Sequence, residues 1–338
     1  MITSSKNPVH YHLWSIFHCT WLFVVTFSAF AQKDTSAIVN YSDKIILKLN
    51  LDTRTDAYLY ENKQDNSRLN LVPNNRFRLF LSLDYEFIGL SVGFVPQFLG
   101  ANSDNDLKGE SSFTDYQFRF FLGRWVQSLA FSKISGYYVR NTGDFVPDWE
   151  KGIDPYIQFN GLRSTQYGMS TAFVFNPNFS YRNIVYQNEW QKTSSGSFVP
   201  TLYYSYNIFD FDQDGLVSTD KYFNLRLAPS YYFTYVLLRK WFVSTNISPS
   251  LGVRFSTSET VVDNANTRER NTFFTRNIST GLNLGYSSER IIFGINVNFS
   301  ADWYNEDSVS STENDQLYGL VYFGYRFDAP KTIANIFD

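Results

Sequence analysis

Residues 44–59 read "KIILKLNLDTRTDAYL". Ile45, Leu47, Leu49, Leu51, Thr53, Thr55, Ala57 and Leu59 fall on one parity, and Lys48, Asn50, Asp52, Arg54 and Asp56 on the other. Successive side chains of a strand point to opposite faces, so this stretch reads as one long strand with an apolar face and a charged face. What decides the fold is which of those faces meets water.

The pattern recurs. Phe77, Leu79, Leu81, Leu83 and Tyr85 oppose Arg76, Arg78, Ser82 and Asp84, and Thr114, Tyr116, Phe118, Phe120 and Leu122 oppose Asp115, Gln117 and Arg119. Near the other end, Phe293, Ile295, Val297 and Phe299 oppose Gly294, Asn296, Asn298 and Ser300. Further strands are expected at 88–95, 126–139 (its facing ambiguous), 163–175, 197–208, 222–236, 241–256, 273–287, 291–304 and 317–327.

A secreted β-sandwich or jelly roll is the soluble alternative. A soluble barrel fills its interior with apolar side chains, yet the repeated polar face here carries Lys, Arg, Asp, Asn, Ser and Gly. A barrel in lipid inverts the arrangement, apolar outside and polar within. The strands also reach the ~10 residues that a tilted crossing needs, and many carry Phe or Tyr near their ends, where aromatic girdles sit. The expected fold is all-β: a transmembrane antiparallel up-and-down β-barrel. With 43% apolar and 19% aromatic residues, the chain can coat such a surface and need not be disordered.

Connections are brief at Phe87, at Gly123-Arg124, at 237–240 and at 287–290, and long and polar at 61–74, 99–112, 140–160, 257–272 and 305–316. Short periplasmic turns and long extracellular loops produce this asymmetry. Counting "FSYRNIVYQNEWQK" (179–192) as a strand makes the total odd, whereas single-chain bacterial barrels are even. Read instead as a short helix or plug element with Ser180 as N-cap, residues 179–194 leave about twelve strands, with ten or fourteen as alternatives, and both termini on the periplasmic side.

Residues 1–31 differ in kind. Lys6, His10 and His12 precede an apolar run from Leu13 to Phe30 that ends in Ala29-Phe30-Ala31, so a signal peptide cleaved after Ala31 is expected, with an uncleaved anchor as the alternative. Cys19 lacks a small-residue lipobox, which argues against lipidation. The expected layout is a leader (1–31), a lead-in (32–42), a barrel (43–327) and a tail (328–338).

Cleavage removes Cys19, His10, His12 and His18, the chain's entire complement of cysteine and histidine. A mature chain of this kind has no disulfide, thiol nucleophile or thiolate metal site, and no Ser-His-Asp triad or histidine-held metal. Barrel lipases, acylases and proteases generally use an active-site histidine, so an enzyme is not expected. An Asp/Glu hydrolase is the remote alternative, without a paired-carboxylate signature. Loss of Lys6 makes a net charge of −3 one unit more negative, which argues against a nucleic-acid partner.

Four segments carry a resemblance: "LKGESSFTDYQF" around Lys108-Gly109, "ISGYYV" around Gly136-Tyr137-Tyr138, "YRNIVYQNEWQKTSSGSF" from Tyr181 to Phe198, and the closing "GYRFDAP". In these the chain resembles an uncharacterised family of Gram-negative outer-membrane β-barrel proteins, a domain of unknown function. Gln187-x-Glu189-x-Gln191 followed by Ser194-x-Gly196-Ser197-Phe198 is the most specific part. The resemblance implies a barrel in the outer membrane and no known activity. The tail after Phe327 departs from the rule that many such chains end on the final aromatic residue.

The expected lumen-lining set is Lys48, Asp52, Arg54, Arg78, Asp84, Arg119, Arg226, Arg254, Asp302 and Arg326. It reads either as a charged constriction that selects solutes or as an ion-pair network that stiffens a narrow barrel. Gln187, Glu189 and Gln191 either orient a ligand or tie a plug to the wall. In "FDFDQDGLVSTDK" (209–221), Asp210, Asp212, Asp214 and Gly215 match the first half of an EF-hand loop. The twelfth position is Lys221 rather than a bidentate Glu, and strands flank it, which excludes a sensor. Weak calcium binding is the one cofactor expectation left; otherwise this is an acidic extracellular hairpin loop. The expected function is a structural or interaction barrel, with a small-solute channel as the alternative. Outer-membrane lipid is the expected partner, with small solutes or a protein beside it.

Overall fold

The computed structural model describes residues 37–53, 56–62, 67–213, 216–262, 265–305 and 310–331. A lead strand, β1 (Ile38–Asn40), precedes β2 (Lys44–Asp52), β3 (Tyr58–Asn62), β4 (Ser67–Val72), β5 (Arg78–Tyr85) and β6 (Ile88–Phe94). After helix α1 (Asn105–Lys108) come β7 (Ser112–Leu122), β8 (Trp125–Val139) and β9 (Gln158–Phe173). Helix α2 (Tyr181–Val185) and β10 (Glu189–Gln191) separate these from β11 (Ser195–Gln213), β12 (Leu216–Leu237), β13 (Trp241–Val262), β14 (Ala265–Ser287), β15 (Ile291–Asn305) and β16 (Ser310–Asp328).

Twelve of the strands, β2, β5 to β9 and β11 to β16, form one closed antiparallel barrel, with β16 pairing back onto β2. The alternation seen in the sequence sets its two faces. Lys48 is 2% exposed and its neighbour Leu49 is 47% exposed. Leu81, Tyr167, Leu227, Ile247, Phe274, Ile295 and Phe323 are likewise exposed, whereas Ser82, Ser230, Ser244 and Asn283 are buried. A continuous apolar exterior is costly in water and favoured in lipid.

Aromatic rings gather around the rim that carries the short turns. Trp125 lies 4.7 Å from Phe173, Phe175 lies 5.6 Å from Phe198, Trp241 lies 5.2 Å from Tyr286, and Tyr325 lies 4.7 Å from Phe327. This is the expected periplasmic girdle. The strands then run far past the opposite bilayer face. β14 has 23 residues where a crossing takes about ten, and the surplus, at ~3.4 Å per residue and a ~40° tilt, rises about 30 Å further.

The stretches 257–272 and 305–316, expected as long loops, are therefore mostly ladder: β13 pairs with β14 out to Val262 and Ala265, and β15 with β16 out to Asn305 and Ser311. Beyond the membrane neither face has to be apolar, so alternation fades while strand-favouring Thr and Val persist. Residues 209–221 are likewise a ladder to Gln213 and Leu216, not a loop.

The strand expected over 44–59 breaks after Asp52. Thr53 ends it, exchanging two bonds with Gly319, N–H to carbonyl at 2.9 Å and Gly319 N–H to Oγ1 at 2.9 Å. In the stretch expected as a loop at 61–74, the end of β3 and all of β4 are instead paired with one another. β3 pairs with β16 and β4 with β8, so the outer wall bypasses the short strands β5 to β7. The ambiguous facing of β8 has a local cause: the β8–β9 register shifts between Ser135 and Tyr137, with Gly136 at φ +79°. The bulge turns Tyr137 into an inner apolar cluster with Phe80, Phe113, Ile134, Leu162 and Phe209.

Candidate functional site: a plugged lumen

The segment between β9 and β11 folds into the periplasmic end of the barrel. Ser180 caps α2, its Oγ accepting from the Asn183 N–H at 2.9 Å. Gln187, at φ +54°, reverses the chain after the helix, and its Nε2 donates to the Ile184 carbonyl at 2.7 Å. Glu189 accepts from Ser180 Oγ at 2.5 Å and lies 3.5 Å from Arg182. Gln191 Oε1 accepts from the Ser180 N–H at 2.6 Å, while its Nε2 donates to the carbonyls of Asn178 and Thr193 at 2.8 and 3.0 Å. All three plug candidates thus bond within the plug itself. β1 adds a second strand beside β10, aligning Ile38 with Gln191 and Asn40 with Glu189.

What ties the plug to the wall is apolar packing together with capture of its backbone. Phe179, Tyr181, Ile184 and Tyr186 pack against Phe121, Val126, Val199 and Tyr232. A one-turn helix leaves its carbonyls without intrahelical partners, and the wall supplies donors. Lys48 donates to the Tyr186 carbonyl, Asn283 Nδ2 to Ile184 at 3.4 Å, and Arg326 Nη2 to Gln187 at 3.3 Å. Arg182 lies over the Phe121 ring at 3.9 Å, and Arg119 over Tyr186 at 5.1 Å. Burial pushes the Tyr186 phenol up to about 12, the Arg119 guanidinium working against it. Burial likewise raises Tyr41, opposed by Arg326, which sits 4.2 Å over its ring.

The sequence-derived lumen residues fall into separate groups. Asp84 lies 2.9 Å from Lys48 and 3.2 Å from Arg119. Arg78 pairs with Asp52 at 3.4 Å and with Asp56 at 2.8 Å; Asp56 lay on the polar parity of residues 44–59 but outside the expected set. Arg226 meets Asp302 at 2.6 Å, from a strand three places away. Arg254 donates to Asn224 Oδ1 at 2.9 Å and covers Tyr222. Arg326 closes the periplasmic rim. Arg54 lies outside the described residues.

Asp210 and Asp212 share a parity on β11 with the outward-facing Leu202 and Tyr206, and Asp210 Oδ1 accepts from Thr219 at 2.9 Å. Asp214 lies outside the described residues. Among the described residues no cluster of three His, Cys, Asp or Glu side chains is placed to hold a metal.

Above the plug lies a cavity of about 1420 Å³. Its floor is Tyr181, Ile184, Tyr186 and Gln187, and its walls extend to Ser258 and the exposed Glu269, on the outer third of β13 and β14. Lys48, Asp52, Arg119, Arg226, Arg254 and Asp302 all line it.

A closed twelve-strand barrel, apolar outside, polar inside and girdled by aromatics, defines an integral outer-membrane protein of the Gram-negative type. The chain belongs to the family described as domain of unknown function (DUF4421), which it matches over residues 32–327. No curated protein matches it. Among solved structures it is similar to the outer membrane protease OmpT from Escherichia coli, at 7% identity and a TM-score of 0.39 over 87% of this chain and 100% of that one. It is similar also to the translocator domain of the autotransporter NalP from Neisseria meningitidis, at 6% identity and a TM-score of 0.34 over 94% and 98%. A third likeness is to the toluene transporter TodX from P. putida, at 8% identity and a TM-score of 0.26 over 87% and 91%. None of these lends the chain a substrate or an activity.

Proposed function

We propose that this protein is a sealed barrel of the outer membrane, a structural or interaction barrel that presents an outward-opening cavity and tall hairpins at the cell surface. The docked plug carries this reading: packing, three wall donors and the added β1 strand hold it across the periplasmic end. The paired lumen charges support a stiffening network over a selective constriction. They also weigh against an Asp/Glu hydrolase, whose carboxylates would have to be free. The leader is read as removed after Ala31, so N-terminal sequencing of the membrane-extracted protein should begin at Gln32.

Planar-bilayer recording tests the main reading. Wild type should seal the membrane, and a variant with residues 179–192 replaced by a Gly-Ser linker should conduct. Stable ion current through the wild type would overturn the sealed barrel. It would favour the second reading, a small-solute channel gated by the plug, which the polar cavity walls support.

A further inference from the structure

The cavity above the plug, lined on one side by Lys48, Asp52 and Arg119, has a different chemistry on the side formed by β9 and β11 to β15. We propose that it is a binding site for a neutral oligosaccharide, an inference that rests on the barrel being closed below.

The inward faces of β9 and β11 to β15 supply mainly uncharged amides and hydroxyls. Gln166 donates to Asn207 at 2.8 Å, and Asn277 to Ser300 at 2.9 Å. A side-chain amide has two N–H donors and an oxygen with two lone pairs, so the one or two bonds made to neighbours leave capacity for a guest. Asn246 and Asn298 converge from β13 and β15 above Gly281 of β14. A Cβ added there would lie 2.8 Å from Asn246 Oδ1 and 2.7 Å from Asn298 Oδ1, so glycine keeps a polar recess open.

The Thr275 hydroxyl is a second, independent sign. It lines the cavity, the residue is 6% exposed, and its Oγ1 has no protein partner. Buried polar atoms without a partner are rare, and a hydroxylated guest supplies one.

The charges on these strands are of both signs: Arg226, Arg254 and Arg270 stand with Asp220, Glu269 and Asp302 around the cavity. Arg226 and Asp302 neutralise one another at 2.6 Å across the lumen, and Arg254 is taken by Asn224 and the Tyr222 ring. With three cations and three anions on these strands, no large field of one sign selects an anion or a cation. Tyr203 and Tyr222 border the same space, one face of Tyr222 being covered by Arg254. Amides and hydroxyls for sugar hydroxyls, aromatic faces for sugar C–H groups and no net charge together describe a neutral polyhydroxylated ligand. The volume exceeds the ~300–1,000 Å³ of ordinary small-molecule pockets and suits several linked rings.

The test uses refolded full-length protein in a detergent without a sugar headgroup, applied to an array of neutral, sialylated and sulfated oligosaccharides. Wild type should retain neutral members, and the double variant Asn246→Ala/Asn298→Ala should bind them about tenfold or more weakly, as expected for lost hydrogen-bonding groups. The best-retained sugar, added free, should raise the wild-type unfolding midpoint, a readout that needs no variant. Retention of charged glycans alone, or of none, would overturn the proposal, as would equal binding by a folded double variant. Bilayer current on the same preparation keeps the two readings apart: a conducting wild type refutes the sealed barrel, and a sealed one that ignores neutral glycans refutes only the ligand.

Discussion

Replacing Asp84 with alanine should cost the folded barrel about 3 kcal/mol, near the low end of the range for removing one partner of a buried pair. Asp84 and Lys48 are each 2% exposed and 2.9 Å apart, and Arg119, at 6%, lies 3.2 Å from the same carboxylate. The substitution strands two cations around one missing anion. Neither is wholly abandoned, since Lys48 keeps the Tyr186 carbonyl and Arg119 keeps the Leu90 carbonyl at 3.2 Å, which is why the low end applies. Urea titration in lipid vesicles, followed by the gel shift between folded and boiled barrel, should show a midpoint lower by about 1 M or more. Asp84→Asn, which keeps shape and an acceptor, should fall between. Adding Lys48→Met to Asp84→Ala should recover part of the loss by removing one orphaned cation. An alanine variant within about 0.5 kcal/mol of wild type would refute the reasoning, because it would mean that lumenal water already solvates these charges.

Gly136→Ala forces a Cβ onto the Glu110 carbonyl at a residue with φ +79°; a loss of about 1–3 kcal/mol in the same titration is expected. Arg326→Met removes the donor to Gln187 while leaving the wall strands paired, so trypsin should cut the plug at Arg182 or Lys192 about ten- to hundredfold faster, the worth of one charge-assisted bond of about 1.5–3 kcal/mol. Asp328, fully exposed past the final girdle residue, is held down to about 2 by hydrogen bonds from Arg290 and Lys44. A lowered folded pKa stabilises above the unfolded value of 3.8 and is lost as pH falls through about 2, so the wild-type urea midpoint should drop across that interval and Asp328→Asn should lack this part of the drop.

Barrel class was readable because the bilayer enforces alternation wherever a strand crosses it: Leu47, Leu49 and Leu51 face out and Lys48, Asn50 and Asp52 face in with no exception. Where that constraint stops, so does legibility. Thr257 to Thr260 are wet on both faces and look like loop, although they pair with Thr267 to Arg270. Gly136 carries the bulge that scrambles the facing of β8; an isolated glycine in a strand pattern hints at a bulge but does not say which side chains it turns inward. In the site, charge type and parity place Asp52, Arg78 and Asp84 inside but leave their pairing open, since Asp56 reaches Arg78 from beyond the strand's end. The plug's anchors were least accessible: Lys48, Asn283 and Arg326 bind main-chain carbonyls, which every residue carries and no sequence pattern marks.

Pairing of β16 with β2 joins the two ends of the wall. Lys44 reaches Asp328 across 284 residues and Thr53 reaches Gly319 across 266, and most other ladders of the barrel join strands that are close in sequence. Closing so long a loop bears the largest entropy loss, so this seam should zip last. Arg326, one of the plug's anchors, arrives on that final strand. A chain interrupted before β16 would therefore have two unsatisfied sheet edges and a loosely held stopper at once. Synthesis order thus makes the finished seal a report that the closing strand has been delivered and inserted.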